Sequence, residues 1–246
     1  MDVLILVLAA SGTALITGLG AIPVSRLGDR AESIRPALWG LTVGLMTVAS
    51  IVGLLLPALD EGSASAVILG VAVGVAFLLG SRRWLGHHDI HVAGMSGAGA
   101  RRSALVFIVL LVHSLPEGFA VGTAYASDTA GLGVFVILAI ALQNIPEGTS
   151  VAIPMEAAGA SRSRQFWAAV GTSAPQPVGA VLAYMLVSEI TSLLPFSFGF
   201  AAGAMLALVL FELAPQAFRS GGRRQALVGA GTGAALMLAL AALLGA

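Results

Sequence analysis

HSLPEG at residues 113–118 recurs as QNIPEG at residues 143–148, and each copy lies inside a long apolar run. Each copy places a glutamate, Glu117 or Glu147, between a proline and a glycine. An ionised side chain at the centre of a bilayer costs at least about 2.5–3.5 kcal/mol on insertion scales, so a carboxylate there is functional and partnered by default. If these two runs cross a membrane, the repeated motif therefore marks a functional site.

The composition places both runs in a membrane. Hydrophobic residues make up 58% of the 246 residues, charged residues make up 10%, and the mean hydropathy is +0.98. Soluble proteins have roughly 45–50% apolar and about 25% charged residues. The formal net charge of +0 argues against a nucleic-acid partner. With no cysteine there is neither a disulfide framework nor a thiolate metal site.

The apolar stretches predict an all-α, polytopic membrane protein. A helix needs about 20 apolar residues to cross the hydrocarbon layer. Alternating-polarity segments typical of a transmembrane barrel are absent from the sequence. We predict one transmembrane domain over residues 1–246 with eight spans, at about 3–24, 37–59, 64–81, 104–126, 131–155, 165–188, 194–217 and 225–245.

The basic residues predict the orientation of these spans. All twelve are arginines, and every one lies in a loop that follows an odd-numbered span. Because positively charged loops stay in the cytoplasm, both chain termini are expected on the outer side. The simplest location is the inner membrane of a bacterial-type cell. The arginines are Arg26, Arg30, Arg35, Arg82, Arg83, Arg101, Arg102, Arg162, Arg164, Arg219, Arg223 and Arg224.

Helical spacing predicts which side chains accompany the two glutamates. His113 lies four residues before Glu117, and Gln143 lies four residues before Glu147, so each pair shares a helix face. Two facing helices would present one imidazole, two carboxylates and an amide oxygen to a common point. This set suits a divalent cation such as Zn²⁺. The alternative is a polar network without a metal, in which His113 hydrogen bonds to Glu147.

At this point the sequence resembles a known family. The two motifs are similar to the HNxPEG-like signatures in the fourth and fifth spans of the Zrt/Irt-like (ZIP) metal transporters. Three other spans also resemble that family: GLMTVASIVGLLLPAL at 44–59, TSAPQPVGAVL at 172–182 and GAMLALVLFELAP at 203–215. The resemblance implies eight helices in a 3+2+3 arrangement with an inverted repeat, a transported divalent metal and a homodimer. The echo of GLM at 44–46 by GAM at 203–205 agrees with such a repeat.

The resemblance also implies roles for individual residues. It assigns a first metal site to Met46, His113, Glu117, Gln143 and Glu147. A second site in many members would correspond to Ser114, Asn144 and Gln176, which are neutral here where well-studied two-metal members have Asn, Asp and Glu. We therefore expect one tightly held metal. Glu212 would belong to the exit path, although Phe211 replaces a histidine that often precedes it.

These observations predict import of zinc or a similar divalent cation by alternating access, with spans four and five holding the metal. No resident cofactor is expected, and the partners are the metal and the lipid bilayer. One alternative is an intramembrane zinc hydrolase, but the H-E-x-x-H helix and a nucleophile grouping are missing, so we expect no enzyme. Another alternative is a non-transporting metal sensor.

His87, His88 and His91 could pass metal to the cytosol or could belong to a solvated linker. The ligand set does not discriminate among Zn, Cd, Fe and Mn.

Overall fold

A computed structural model describes residues 3–28, 31–86, 98–219 and 222–245. In these ranges every regular element is a helix. The α-helices are α1 Val3–Leu19, α2 Ala21–Leu27, α3 Ala31–Ser50, α4 Leu56–Glu61, α5 Ala64–Gly86, α6 Ala98–Ala126, α7 Leu132–Ala157, α8 Arg162–Thr172, α9 Pro175–Glu189, α10 Leu194–Leu208, α11 Ala214–Arg219 and α12 Arg223–Leu244. A 3₁₀ turn covers Thr191–Leu193. The side chains of residues 85, 86, 98–109 and 219 lie outside the description.

Six helical segments within the described ranges are long and apolar enough to cross a membrane. They are Val3–Leu27, Ala31–Glu61, Ala64–Trp84, Leu132–Ala157, Thr191–Phe218 and Arg223–Leu244. The chain is therefore a multi-pass, all-helical membrane protein. The fourth predicted span falls within α6, and the sixth falls on α8 and α9 together.

The sixth predicted span is not one continuous helix. The sequence predicts an uninterrupted run over 165–188, but the structure ends α8 at Thr172 and begins α9 at Pro175. A proline disfavours helical geometry in the residue before it and lacks a backbone N–H, but it is well suited to the first turn of a new helix. Pro175 therefore begins a helix instead of continuing one. The prediction counted apolar residues and did not weigh this effect.

Two of the long segments contain a π-helical turn in the same relation to a proline. Ile51–Leu55 follows α3, and Val209–Leu213 follows α10. Each turn ends two residues before a proline, Pro57 or Pro215. Since proline cannot donate a backbone hydrogen bond, the pattern of hydrogen bonds within the helix must change near it. A single π turn is one way to make that change. The two segments thus share a local distortion as well as their Gly-x-Met sequence.

The helices pack in pairs through glycines that allow the backbones to touch. α3 lies along α12, and α10 lies along α5. A side chain at Gly44 would overlap the carbonyl oxygen of Ala230 in α12, and one at Gly203 would overlap that of Val71 in α5. Small residues at such positions are the usual basis of close helix packing in membranes.

The pairs form two groups of helices. The site bundle contains α1, α2 and α6 to α9, and the framework bundle contains α3 to α5 and α10 to α12. The two bundles meet mainly where α3 packs on α7 and where α10 packs on α6. Both motif helices, α6 and α7, therefore lie at the junction between the bundles.

Candidate metal centre

The two motif glutamates lie in the middle of long helices and are almost completely buried. Glu117 is 1% exposed and Glu147 is 4% exposed. Their prolines, Pro116 and Pro146, are accommodated inside α6 and α7 without ending either helix. The carboxyl groups of Glu117 and Glu147 lie within hydrogen-bonding distance of each other. Two buried carboxyl groups this close require a positive charge between them, either a proton or a metal cation.

Glu117 is held by amides from two other helices. Its Oε1 accepts a hydrogen bond from Nε2 of Gln143 in α7 at 3.0 Å, and its Oε2 accepts one from Nε2 of Gln176 in α9 at 2.7 Å. Gly118 makes the second contact possible, because a side chain there would overlap the backbone of Gln176. The glycine of the motif thus brings α9 against the glutamate that precedes it.

Several polar side-chain atoms around this carboxylate have no hydrogen-bond partner. Nδ1 and Nε2 of His113, Oε1 of Gln143 and Oε1 of Glu147 are buried and make no hydrogen bond in the described structure. Nearly all buried polar side-chain atoms in proteins have at least one partner, so unpartnered atoms concentrated on predicted metal ligands call for an explanation. A cation bound by one imidazole nitrogen, the amide oxygen and the carboxylate oxygen would satisfy three of the four atoms.

A narrow cleft separates His113 and Glu117 from the framework bundle, and Gln143 and Glu147 do not line it. His113, Pro116 and Glu117 line it on one side, and the framework residues are Met46, Leu78, Ala204, Met205 and Leu208. The cleft is too tight to hold a water molecule. The structure thus brings Met46, which is fully buried, to the same cleft as His113 and Glu117. An ion in this position would have to exchange its hydration shell for protein ligands.

The residues of the possible second site make other contacts. Asn144 and Gln176 hydrogen bond to each other at 3.2 Å, and Gln176 contacts Glu117 as described above. The hydroxyl of Ser114 instead lies 2.7 Å from the carbonyl oxygen of Thr172, to which it donates. Asn144 likewise donates to the carbonyl oxygen of Thr13 at 2.8 Å. These side chains therefore fasten α6 to α8 and α7 to α1.

Glu212 does not line the cleft. It pairs with Arg82 of α5 in an ion pair that is partly exposed to solvent. Glu212 lies one helical turn beyond Leu208, and Arg82 lies one turn beyond Leu78, and these two leucines do line the cleft. The structure thus separates Glu212 from the ligand cluster by one layer of apolar side chains. His87, His88 and His91 lie outside the described residues.

The candidate ligands include oxygen, nitrogen and sulfur donors. In the part of the chain that the structure describes, no three His, Asp or Glu side chains already form a metal cluster. The convergent groups are two carboxylates, an imidazole, amides and thioethers, which are all possible ligands of a borderline divalent cation. Each oxygen of Glu117 accepts one amide hydrogen bond and keeps a further lone pair that an ion could use.

Sequence reasoning missed the contribution of the first helix. Thr13 donates a hydrogen bond to Oε1 of Gln176 at 3.0 Å, and the hydroxyl of Thr17 lies 2.7 Å from that of Ser173. Both threonines are buried. Their signal was available, because they are four residues apart in a largely apolar span and so share one helix face.

Comparison with known proteins identifies the family to which the chain is similar. A family profile described as "ZIP Zinc transporter" matches residues 86–241. The chain is 36% identical to the zinc transporter GufA of Myxococcus xanthus over 94% of both chains. It is 34% identical to the zinc transporter ZIPB of Bordetella bronchiseptica, over 93% of this chain and 78% of that protein. It also matches a longer protein of Arabidopsis thaliana at 33% identity over 94% of its own length, but it spans only 37% of that protein.

Proposed function

The chain belongs to the ZIP family of zinc transporters, and from this premise we propose that it carries zinc or a similar divalent cation into the cytoplasm. The relatives are named as transporters and not as enzymes. The observation that carries the proposal is the set of buried polar atoms without a partner on His113, Gln143 and Glu147 around the carboxylate of Glu117.

The transported cation is held between α6 and α7. Glu117 and Glu147 together offset a charge of +2, while His113, Gln143 and Met46 complete the ligand set. Asn144 and Gln176 contribute neutral amides, and Gln176 already donates to Glu117. Neutral groups cannot offset the charge of a second divalent ion in a low-dielectric site. The site therefore holds one metal at a time.

The membrane arrangement that fits these observations has eight spans. α6 contains 29 residues, enough to cross a bilayer, and α8 with α9 would form a sixth span broken near its middle. The distribution of arginines supports cytoplasmic loops after the odd-numbered spans and both termini outside, in the inner membrane of a bacterial-type cell. The family resemblance supports a homodimer.

A constant sequence offset supports the 3+2+3 inverted repeat. Glycines at 40, 44, 70 and 74 recur as glycines at 199, 203, 229 and 233, and Met46 recurs as Met205, in each case 159 residues later. The contacts follow the same offset, because Thr13 and Thr172 are also 159 residues apart. Their carbonyl oxygens accept hydrogen bonds from Asn144 and Ser114, which are the equivalent residues of the two motifs.

This symmetry supports transport by alternating access. An inverted repeat lets the two halves exchange conformations, which opens the site to one side and then to the other. The site bundle carries the glutamates, the imidazole and the amides, while the framework bundle covers them with apolar side chains. Movement of one bundle against the other would widen the cleft, which in this structure is closed to water.

The test is zinc uptake into proteoliposomes that contain the purified protein and a zinc-sensitive dye. Glu117→Gln keeps the size of the side chain but removes a negative charge, so we expect uptake to fall to that of protein-free liposomes. The matched control is Glu189→Gln, which changes an exposed glutamate at the end of α9 and should leave uptake unaltered. Uptake by Glu117→Gln at the unmutated rate, with normal folding, would refute the assigned site.

A further inference from the structure

A second methionine faces the candidate metal centre. Met205 in α10 lines the same narrow cleft as Met46, His113 and Glu117, and it is only 2% exposed. Met46 and Met205 occupy equivalent positions of the 159-residue offset, at the ends of GLM and GAM. One methionine therefore borders the cleft from α3 and the other from α10. The family resemblance of the sequence assigned a role only to the first.

The composition of the chain makes the sulfur atoms of Met46 and Met205 useful for testing the ligands of this site. The protein has no cysteine, so methionine thioethers are its only sulfur ligands. A thioether is a soft donor that favours polarisable cations over hard ones. Other buried methionines do not share this position, since Met237 is fully buried in the hydrophobic core and does not line the cleft. Met237 therefore represents a methionine with a purely packing role.

We propose that Met205 is a second thioether ligand of the transported cation. Met46 and Met205 are then two soft ligands on the framework side of the site. The carboxylates and the imidazole of the site bundle lie opposite them. This arrangement selects for thiophilic divalent ions such as Cd²⁺ and Zn²⁺ over Mn²⁺. The proposal rests on the function proposed above, because it adds a ligand to that same site.

X-ray absorption at the cadmium edge counts sulfur neighbours directly. Purified full-length protein is loaded with one equivalent of Cd²⁺ per chain. We expect two sulfur scatterers in the unmutated protein, one in Met46→Leu, one in Met205→Leu and none in the double variant. Met237→Leu should keep both. A sulfur count unchanged by Met205→Leu would overturn the proposal, as would a single sulfur in the unmutated protein.

Two further measurements keep the result interpretable. Protein labelled with selenomethionine has an unchanged sequence, so two selenium neighbours of Cd²⁺ should appear even if the leucine variants fold poorly. One selenium neighbour contradicts the proposal. Failure of the unmutated protein to bind Cd²⁺ at all would instead contradict the proposed function. In competition binding, Met205→Leu should lower the preference for Cd²⁺ over Mn²⁺ by about tenfold, as expected for the loss of a soft ligand.

Discussion

Nε of Arg82 in α5 lies 2.5 Å from Oε1 of Glu212 in the π-helical turn that follows α10. Leu78 and Leu208, one turn earlier on the same two helices, line the cleft at the candidate metal centre. The ion pair therefore covers an apolar layer that separates the site from the side carrying the arginine-rich loops.

Removal of the Arg82 charge should open this side of the cleft. Arg82→Gln breaks the pair with Glu212, so Leu208 should become easier to reach from water. Because the chain has no cysteine, Leu208→Cys provides a single thiol whose labelling by a membrane-impermeant maleimide reports this access. We expect Arg82→Gln to raise the labelling rate severalfold. Partly exposed ion pairs contribute little to stability, so the melting temperature should change little.

The adjacent arginine serves as the control for this experiment. Arg83→Gln removes the same charge one residue away and keeps both Arg82 and Glu212, and labelling of Leu208→Cys should remain at its original rate. Equal labelling with and without the Arg82 charge would show that the ion pair does not restrict the path.

The number of zinc ions bound per chain should depend on the charge of the side chain at position 176. In the structure Nε2 of the Gln176 amide donates to Glu117. The family resemblance places a glutamate at this position in two-metal members. We expect one tightly bound Zn²⁺ per chain in the unmutated protein and two in Gln176→Glu, because a third carboxylate needs further positive charge. Metal analysis of purified protein after gel filtration measures both values. Two tightly bound ions in the unmutated protein would contradict the single-metal site.

A methyl group at Gly118 should separate α9 from α6. In Gly118→Ala the new Cβ would overlap the backbone of Gln176, so the amide would move away from Glu117. Overpacking of this kind costs about 1–3 kcal/mol. Gly12→Ala in α1 is the matched control, because a Cβ there meets nothing within 4 Å. Thermal unfolding in detergent should show a clear loss for the first variant only, and equal melting temperatures would argue against tight packing at Gly118.

The sequence identifies the two motif glutamates but not the helices that contact them. A proline-glutamate pair in two apolar runs is visible without a structure, and the structure places the carboxyl groups of Glu117 and Glu147 side by side. The family resemblance is confirmed by comparison with known proteins. Periodicity cannot show which neighbouring helix a polar side chain will contact. The hydrogen bond from Ser114 to the backbone of Thr172 depends on how α6 packs against α8.

Other features depended on effects that counting apolar residues does not capture. The break before Pro175 and the π turns before Pro57 and Pro215 come from missing backbone donors in otherwise apolar stretches. Arg82 was counted only as a loop charge that orients the chain. Its partner lies 130 residues away in the sequence, so only the packing of α5 on α10 brings the two together.

Cross-links can test whether the two bundles move against each other. Thr17 and Ser173 both belong to the site bundle, and their hydroxyl oxygens are 2.7 Å apart, so Thr17→Cys with Ser173→Cys should form a disulfide that leaves zinc uptake intact.

Glu61 of the framework bundle instead accepts a hydrogen bond from Thr129 at 2.8 Å, in the loop between α6 and α7. Joining Glu61→Cys to Thr129→Cys with a short thiol cross-linker should stop uptake, because this link ties one bundle to the other. A reducible cross-linker, once cleaved, should restore it. Full uptake with that link in place would show that transport needs no relative displacement of the bundles at this end of the molecule.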